Sequence, residues 1–111
     1  MFKSYHAHIY YDPATRRTAA KVRGRIEERF NVKMGSWHDE PVGPHPQSMY
    51  QVAFSKGLFP KIVPWLMENR SGLAVLVHPN SGDDYRDHSE HAIWLGKMLR
   101  LKLGMFKTRR G

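Results

Sequence analysis

Cysteine is absent from this chain of 111 residues. That excludes a disulfide framework, a thiolate metal site and a cysteine nucleophile. No stretch approaches the roughly 18 apolar residues of a transmembrane helix. The opening segment MFKSYHAHIYYD has no apolar signal core, so a cytoplasmic location is the expectation. No Walker A motif, GxGxxG fingerprint or GxSxG elbow is present, which removes the common nucleotide-binding and serine-hydrolase readings. Acids are scarce: 10 against 18 lysines and arginines, a formal charge of +8.

That excess invites a nucleic-acid reading, but its distribution weighs against one. Six basic residues follow Glu90 with no acid among them, and six more lie between Arg16 and Arg29. A basic tail and a solvated helix face account for most of the excess. A positive field drawing in an anionic small substrate is the milder use of it. A composition of 41% hydrophobic and 25% charged residues is that of an ordinary globular protein, so collagen-like, disordered and coiled-coil classes fall away. The length fits one domain, residues 1–111, with a core over about 4–103 and a basic tail at 104–111.

Tyr5 to Tyr11 alternates and is rich in aromatic residues, so it reads as a strand. Ala7, Ile9 and Tyr11 share one face; His6, His8 and Tyr10 share the other. Asp12-Pro13 reads as a helix start, with Ala19, Val22, Ile26 and Phe30 as the apolar stripe and Asn31 as the stop. Residues 32–38 predict a second strand. The prolines of PVGPHPQ make a rigid loop, and 48–55 predict a third strand. A second helix carries Leu58, Ile62, Val63 and Leu66, with Pro64 expected to delay its start or kink it. Leu73 to His78, apolar on both faces, predicts a central strand. Residues 92–96 and 98–105 predict short strands or extended edges. The order βαββαβ implies a ferredoxin-like α+β fold: an antiparallel sheet with both helices on one face and a C-terminal extension. The face bearing His6 and His8 is left for a partner subunit, the C-terminal segment or a ligand pocket. Two such sheets packed face to face would form a dimeric barrel.

Seven histidines are the chemical feature of the chain: His6, His8, His38, His45, His78, His88 and His91. His-x-His on a strand puts two rings on one side, and strand-end and loop histidines can converge there. Imidazole suits Fe, Zn, Cu and Ni, and a three-nitrogen set leaves positions open for substrate and oxygen. Each ring also has a plain reading as a packing or hydrogen-bonding group. Tyr10 and Tyr50 project from strands and could donate to a substrate, although a buried tyrosine with a satisfied hydroxyl is the commoner case. Asp39-Glu40 and Asp83-Asp84 read as solvated turns, and Trp65 and Trp94 as core.

Four segments, YHAHIYYD (5–12), PVGPHPQSMYQVAF (41–54), PWLMENRSGLAVLVHPNSGDD (64–84) and DHSEHAIWLG (87–96), together resemble the DOPA 4,5-dioxygenase family, in its small fungal and bacterial form. The likeness runs from about Tyr5 to Leu103. It implies a dimeric ferredoxin-like protein that opens a catechol ring beside the diol, using dioxygen and a non-haem Fe(II) or another divalent metal. For DOPA, 4,5-cleavage would give a seco semialdehyde acid. Through the resemblance, His8, His45 and His78 are the expected metal ligands, and His6, His38 and Tyr50 the expected catalytic groups. Arg70, Tyr10, His88 and His91 are expected to bind substrate, Arg70 through a carboxylate. The alternative is a non-catalytic dimeric module that binds a small aromatic molecule or a metal. The expected partners are a catechol and dioxygen, with no membrane and no nucleic acid.

Overall fold

The computed structural model describes residues 1–106 as an α+β unit built on one five-stranded antiparallel sheet. Its elements are β1 (Ser4–Tyr10), α1 (Arg16–Arg29), β2 (Lys33–Met34), β3 (Met49–Ser55), α2 (Phe59–Asn69), β4 (Val75–Pro79), α3 (Asp84–Asp87), β5 (Ile93–Leu95) and a 3₁₀ turn, Leu103–Met105. The strands lie in the order β2-β3-β1-β4-β5. β1 is therefore central, and its register sets His6 opposite His78, Ala7 opposite Val77 and Tyr10 opposite Met49.

The alternation read from the sequence sorts the two faces. Ala7, Ile9, Val52, Val75 and Val77 pack against Ala19, Val22 and Ile26 of α1 and Ile62, Val63 and Leu66 of α2. Both helices thus cover the same face. Each fully buried aliphatic side chain there contributes about 1.5–3 kcal/mol. On the opposite face Tyr10, Met49 and Leu76 are covered by Ala92, Trp94, Leu99 and Leu101. Of the expected coverings, the C-terminal segment fills part of this face.

Local chemistry shifts several boundaries. Asp12 Oδ1 accepts from the backbone N–H and hydroxyl of Thr15, which closes a turn, so α1 starts at Arg16 rather than at Pro13. The strand expected over 32–38 shrinks to Lys33–Met34. Gly35 adds one bond to Gln51 and His38 one bridge to Met49, so pairing is intermittent. α2 begins before Pro64 and runs through it. The lost backbone donor is tolerated because Ile62, Val63 and Leu66 bury that helix face. Residues 98–105 form no strand. Leu99 and Leu101 are used for packing, and Lys102 N–H bonds the Pro44 carbonyl instead of a sheet edge. Of the expected tail, Gly104 and Met105 are exposed and Phe106 stacks on His88 at 4.8 Å. Residues 107–111 lie outside the described part. Among the described residues no helix is long and apolar enough to cross a membrane.

Candidate metal centre

Two strands and two loops bring five imidazoles together. β1 presents His6 and His8 on the face away from the helices, and β4 sets His78 beside them through the His6–His78 register. The proline loop delivers His45, where a turn between the His45 N–H and the Val42 carbonyl fixes the backbone. α3 delivers His88 at its C-terminal end, and the Asp83 carboxylate caps that helix by accepting from Arg86 N–H. Ring centroids lie 4.3 Å apart for His8–His45, 5.1 Å for His8–His78 and 4.2 Å for His78–His88. Two sets have ligand nitrogens mutually within 4.8 Å: His6, His8 and His78, and His8, His45 and His88. His8 belongs to both.

The hydrogen bonds fix where protons sit. The Pro79 carbonyl only accepts, so His78 Nδ1 carries a proton and donates to it at 2.8 Å. His78 Nε2 is then a lone pair, and His8 Nε2–H donates to it at 3.0 Å. That leaves His8 Nδ1 unprotonated, sealed from solvent and without a hydrogen-bond partner. A buried orphan lone pair is costly unless something electrophilic meets it. His88 Nδ1 likewise donates to the Asp84 carbonyl, which turns its Nε2 into a free acceptor. Tyr10 Oη bonds His45 Nδ1 at 2.7 Å.

Burial holds His6, His8, His45 and His78 neutral. It lowers His8 well below the ordinary histidine value, helped by repulsion from His45, His78, His6 and His88. Desolvation, then repulsion from other histidines, brings His45 to about 4; desolvation also brings His78 to about 4, against a Pro79 hydrogen bond that raises it. His6, half-buried, is lowered by desolvation and then by His88. Neutral imidazoles with buried lone pairs are what a borderline divalent metal requires. The donor set therefore fits a divalent metal.

The expected ligands His8, His45 and His78 are all in this cluster, and His6 and His88 join them. Tyr10 reaches it as the partner of His45, its phenol pushed up by burial. Other expected residues fall elsewhere. Tyr50 lies on the helix-side face and donates to the Ala19 carbonyl. The alternation that puts His8 on the site face sets Tyr50, opposite Ile9, on the other. His38 is exposed at the Trp37–Val42 groove. Arg70 donates to the Leu73 carbonyl and lies against Gly96, apart from the histidines.

His91 bonds Asp87 at 3.0 Å and packs on Phe2. Sequence reasoning missed Asp87 itself. This carboxylate is only 2% exposed and accepts from Ser81 N–H, Ser81 Oγ and His91. Burial opposes its ionisation, but those hydrogen bonds outweigh burial and hold it below the usual carboxylate range. The signal available was its place immediately before His88.

Comparison with known proteins identifies the family of the chain and a solved structure of the same fold. The family described as "Dopa 4,5-dioxygenase family" matches residues 5–105. An uncharacterized 21.2 kDa protein of Botryotinia fuckeliana is 35% identical over 94% of this chain and 63% of its own length. A DOPA 4,5-dioxygenase of Amanita muscaria is 29% identical over 91% of this chain and 48% of its own. The chain thus spans about half to just under two thirds of these curated relatives. A crystal structure from Nostoc punctiforme, described as a "putative dioxygenase", superposes with a TM-score of 0.92 at 50% identity, covering 93% of this chain and 90% of that one.

Proposed function

The chain belongs to the Dopa 4,5-dioxygenase family, and from that premise we propose that it is an extradiol dioxygenase. It would open a catechol such as DOPA by 4,5-cleavage to a seco semialdehyde acid, using a non-haem Fe(II) held by the histidine cluster. The observation that carries this reading is the convergence of five imidazoles in two sets that share His8, the nitrogens of each set lying within 4.8 Å of one another. His8, His45 and His78 are the assigned ligands, with His88 completing the set on the loop side. When bound, Fe(II) supplies the redox chemistry that triplet dioxygen needs to react with a singlet catechol.

The chain's own residues do the rest. The Pro79 and Asp84 carbonyls orient the His78 and His88 rings, and Tyr10 orients His45. His6 is neutral at pH 7 and half-exposed at the rim of the cluster. It is placed to accept the proton of a catechol hydroxyl. Leu76, Trp94, Leu99 and Leu101 keep the neighbouring face apolar and exclude water.

The reading extends to architecture and assembly. Strands β1–β4 with α1 and α2 would form a ferredoxin-like unit, and the exposed Ile93, Met98 and Met105 near the site face suit pairing into a homodimer. Light scattering on the purified protein tests the dimer.

The decisive experiment is anaerobic loading with Fe(II), followed by oxygen uptake and visible spectra with DOPA and a catechol panel. A yellow product with one dioxygen consumed per catechol, abolished by a chelator and in folded His8→Ala and His78→Ala variants, is expected. No uptake despite confirmed iron occupancy would refute the assignment.

A further inference from the structure

The ring of Phe106 is stacked on that of His88, with centroids 4.8 Å apart and planes tilted by 28°. We propose that Phe106 is a positioning residue: its ring holds the His88 imidazole in the cluster, and the strap that carries it, residues 99–106, locks the loop-borne part of the metal site. The inference rests on the metal-site part of the proposed function and deepens it by saying what organises that site.

His88 stands at the C-terminal end of α3, a helix of four residues. The hydrogen bond from its Nδ1 to the Asp84 carbonyl is local and ties the ring only to its own helix. Its placement against the sheet must come from more distant neighbours. The His78 ring lies at 4.2 Å between centroids and the Phe106 ring at 4.8 Å, whereas His45 and His8 stand at 6.1 Å and 6.3 Å. Phe106 and His78 form no ring pair with each other among the described residues, so His88 lies between them. A cavity of about 380 Å³ opens beside His88, bounded also by Trp94, Leu99 and Leu103. Without the stack the imidazole has room to swing into it, away from the other nitrogens. The strap is itself anchored twice. Leu99 and Leu101 pack on Tyr10, Met49 and Leu76 of the sheet. Lys102 N–H bonds the Pro44 carbonyl at 2.9 Å, next to His45. A 3₁₀ turn over Leu103–Met105, closed by Phe106 N–H on the Leu103 carbonyl at 3.1 Å, then delivers the ring. One segment thus reaches the supports of both loop imidazoles. The cost of losing a stacked aromatic pair and that of losing an outer partner of a ligating histidine overlap at about 10-fold.

The test measures the Kd for Zn(II) of metal-free protein by competition with a chelating dye, under conditions where urea unfolding shows each variant folded. Phe106→Ala is expected to weaken Zn(II) binding about 10-fold. Phe106→Tyr keeps the ring and should stay within about twofold of wild type. Met105→Ala, at the exposed neighbouring position, controls for disturbance of the turn and should also stay within about twofold. In a His88→Ala background, Phe106→Ala should change Kd by less than about twofold, because the ring then has nothing to position. An unchanged Kd in Phe106→Ala, an equal loss in the His88→Ala background, or Phe106→Tyr as weak as Phe106→Ala overturns the proposal. Zn(II) binding that depends on Phe106 through His88, with no catechol consumed by Fe(II)-loaded wild type, would sustain this role and refute only the dioxygenase reading. Catechol turnover with a Kd indifferent to Phe106 would do the reverse.

Discussion

Metal-free protein should lose stability between pH 7 and pH 4.5 because of its buried histidines. His45 and His78 titrate at about 4 in the folded chain, against an ordinary value of 6.5. The folded value is the lower one, so the unfolded chain takes up protons first as pH falls. Stability is therefore complete above about 6.5 and drains away toward 4. Linkage gives a loss of about 2 kcal/mol for each of the two histidines by pH 4.5. Domains of this size have about 5–15 kcal/mol in all, so the effect is large. The window is clean, because Asp39 and Asp87 lie below the ordinary carboxylate range and contribute only at lower pH. Urea unfolding followed by tryptophan fluorescence in a chelating buffer should show the midpoint falling by about 1 M per histidine. His8 and His6 are lowered as well and add to the loss, so His45→Gln should remove no more than about a third of the slope. A midpoint that stays flat from pH 7 to 4.5 would refute the neutral, desolvated cluster.

Three further substitutions probe the supports. Tyr10→Phe deletes the 2.7 Å bond to His45 and should weaken Fe(II) or Zn(II) affinity about 10-fold, read by competition with a chelating dye. Asp87→Asn leaves one of the Ser81 and His91 donors unmatched in a buried position. It should cost about 2 kcal/mol in urea unfolding and also reduce metal affinity, since the clamp it breaks carries His88. Gly96→Ala forces a φ of +77° on a residue with a β-carbon that would also run into the Arg70 guanidinium. A loss of about 1–3 kcal/mol by thermal unfolding is expected.

The alternation of His6 and His8 against Ala7 and Ile9 was legible in the sequence because a strand has period two. It also predicted which face the helices would take. The convergence of His45 and His88 was not legible from spacing alone, since both arrive on loops and their placement depends on long-range packing. Family resemblance supplied His45 as a ligand and set His88 with the substrate, whereas the fold puts it among the imidazoles. Tyr50 misled because a strand tyrosine looks alike on either face until the register with Ile9 is known. Asp87 was hidden among acidic loop residues that usually face water. Residues 98–105 alternate like a strand, but the leucines answer to Tyr10 and Leu76 beneath them rather than to a neighbouring backbone.

The cluster straddles two kinds of support. His6, His8 and His78 stand on β1 and β4, near the middle of the sheet, where amide exchange should approach the rate of global opening. His45 and His88 stand on short loops tied down by a few bonds, among them the link from Lys102 to the Pro44 carbonyl. Sub-global opening of those loops exposes two of the five imidazoles while the three on the strands stay fixed. An ion could then enter or leave on the timescale of a local fluctuation, without the sheet coming apart.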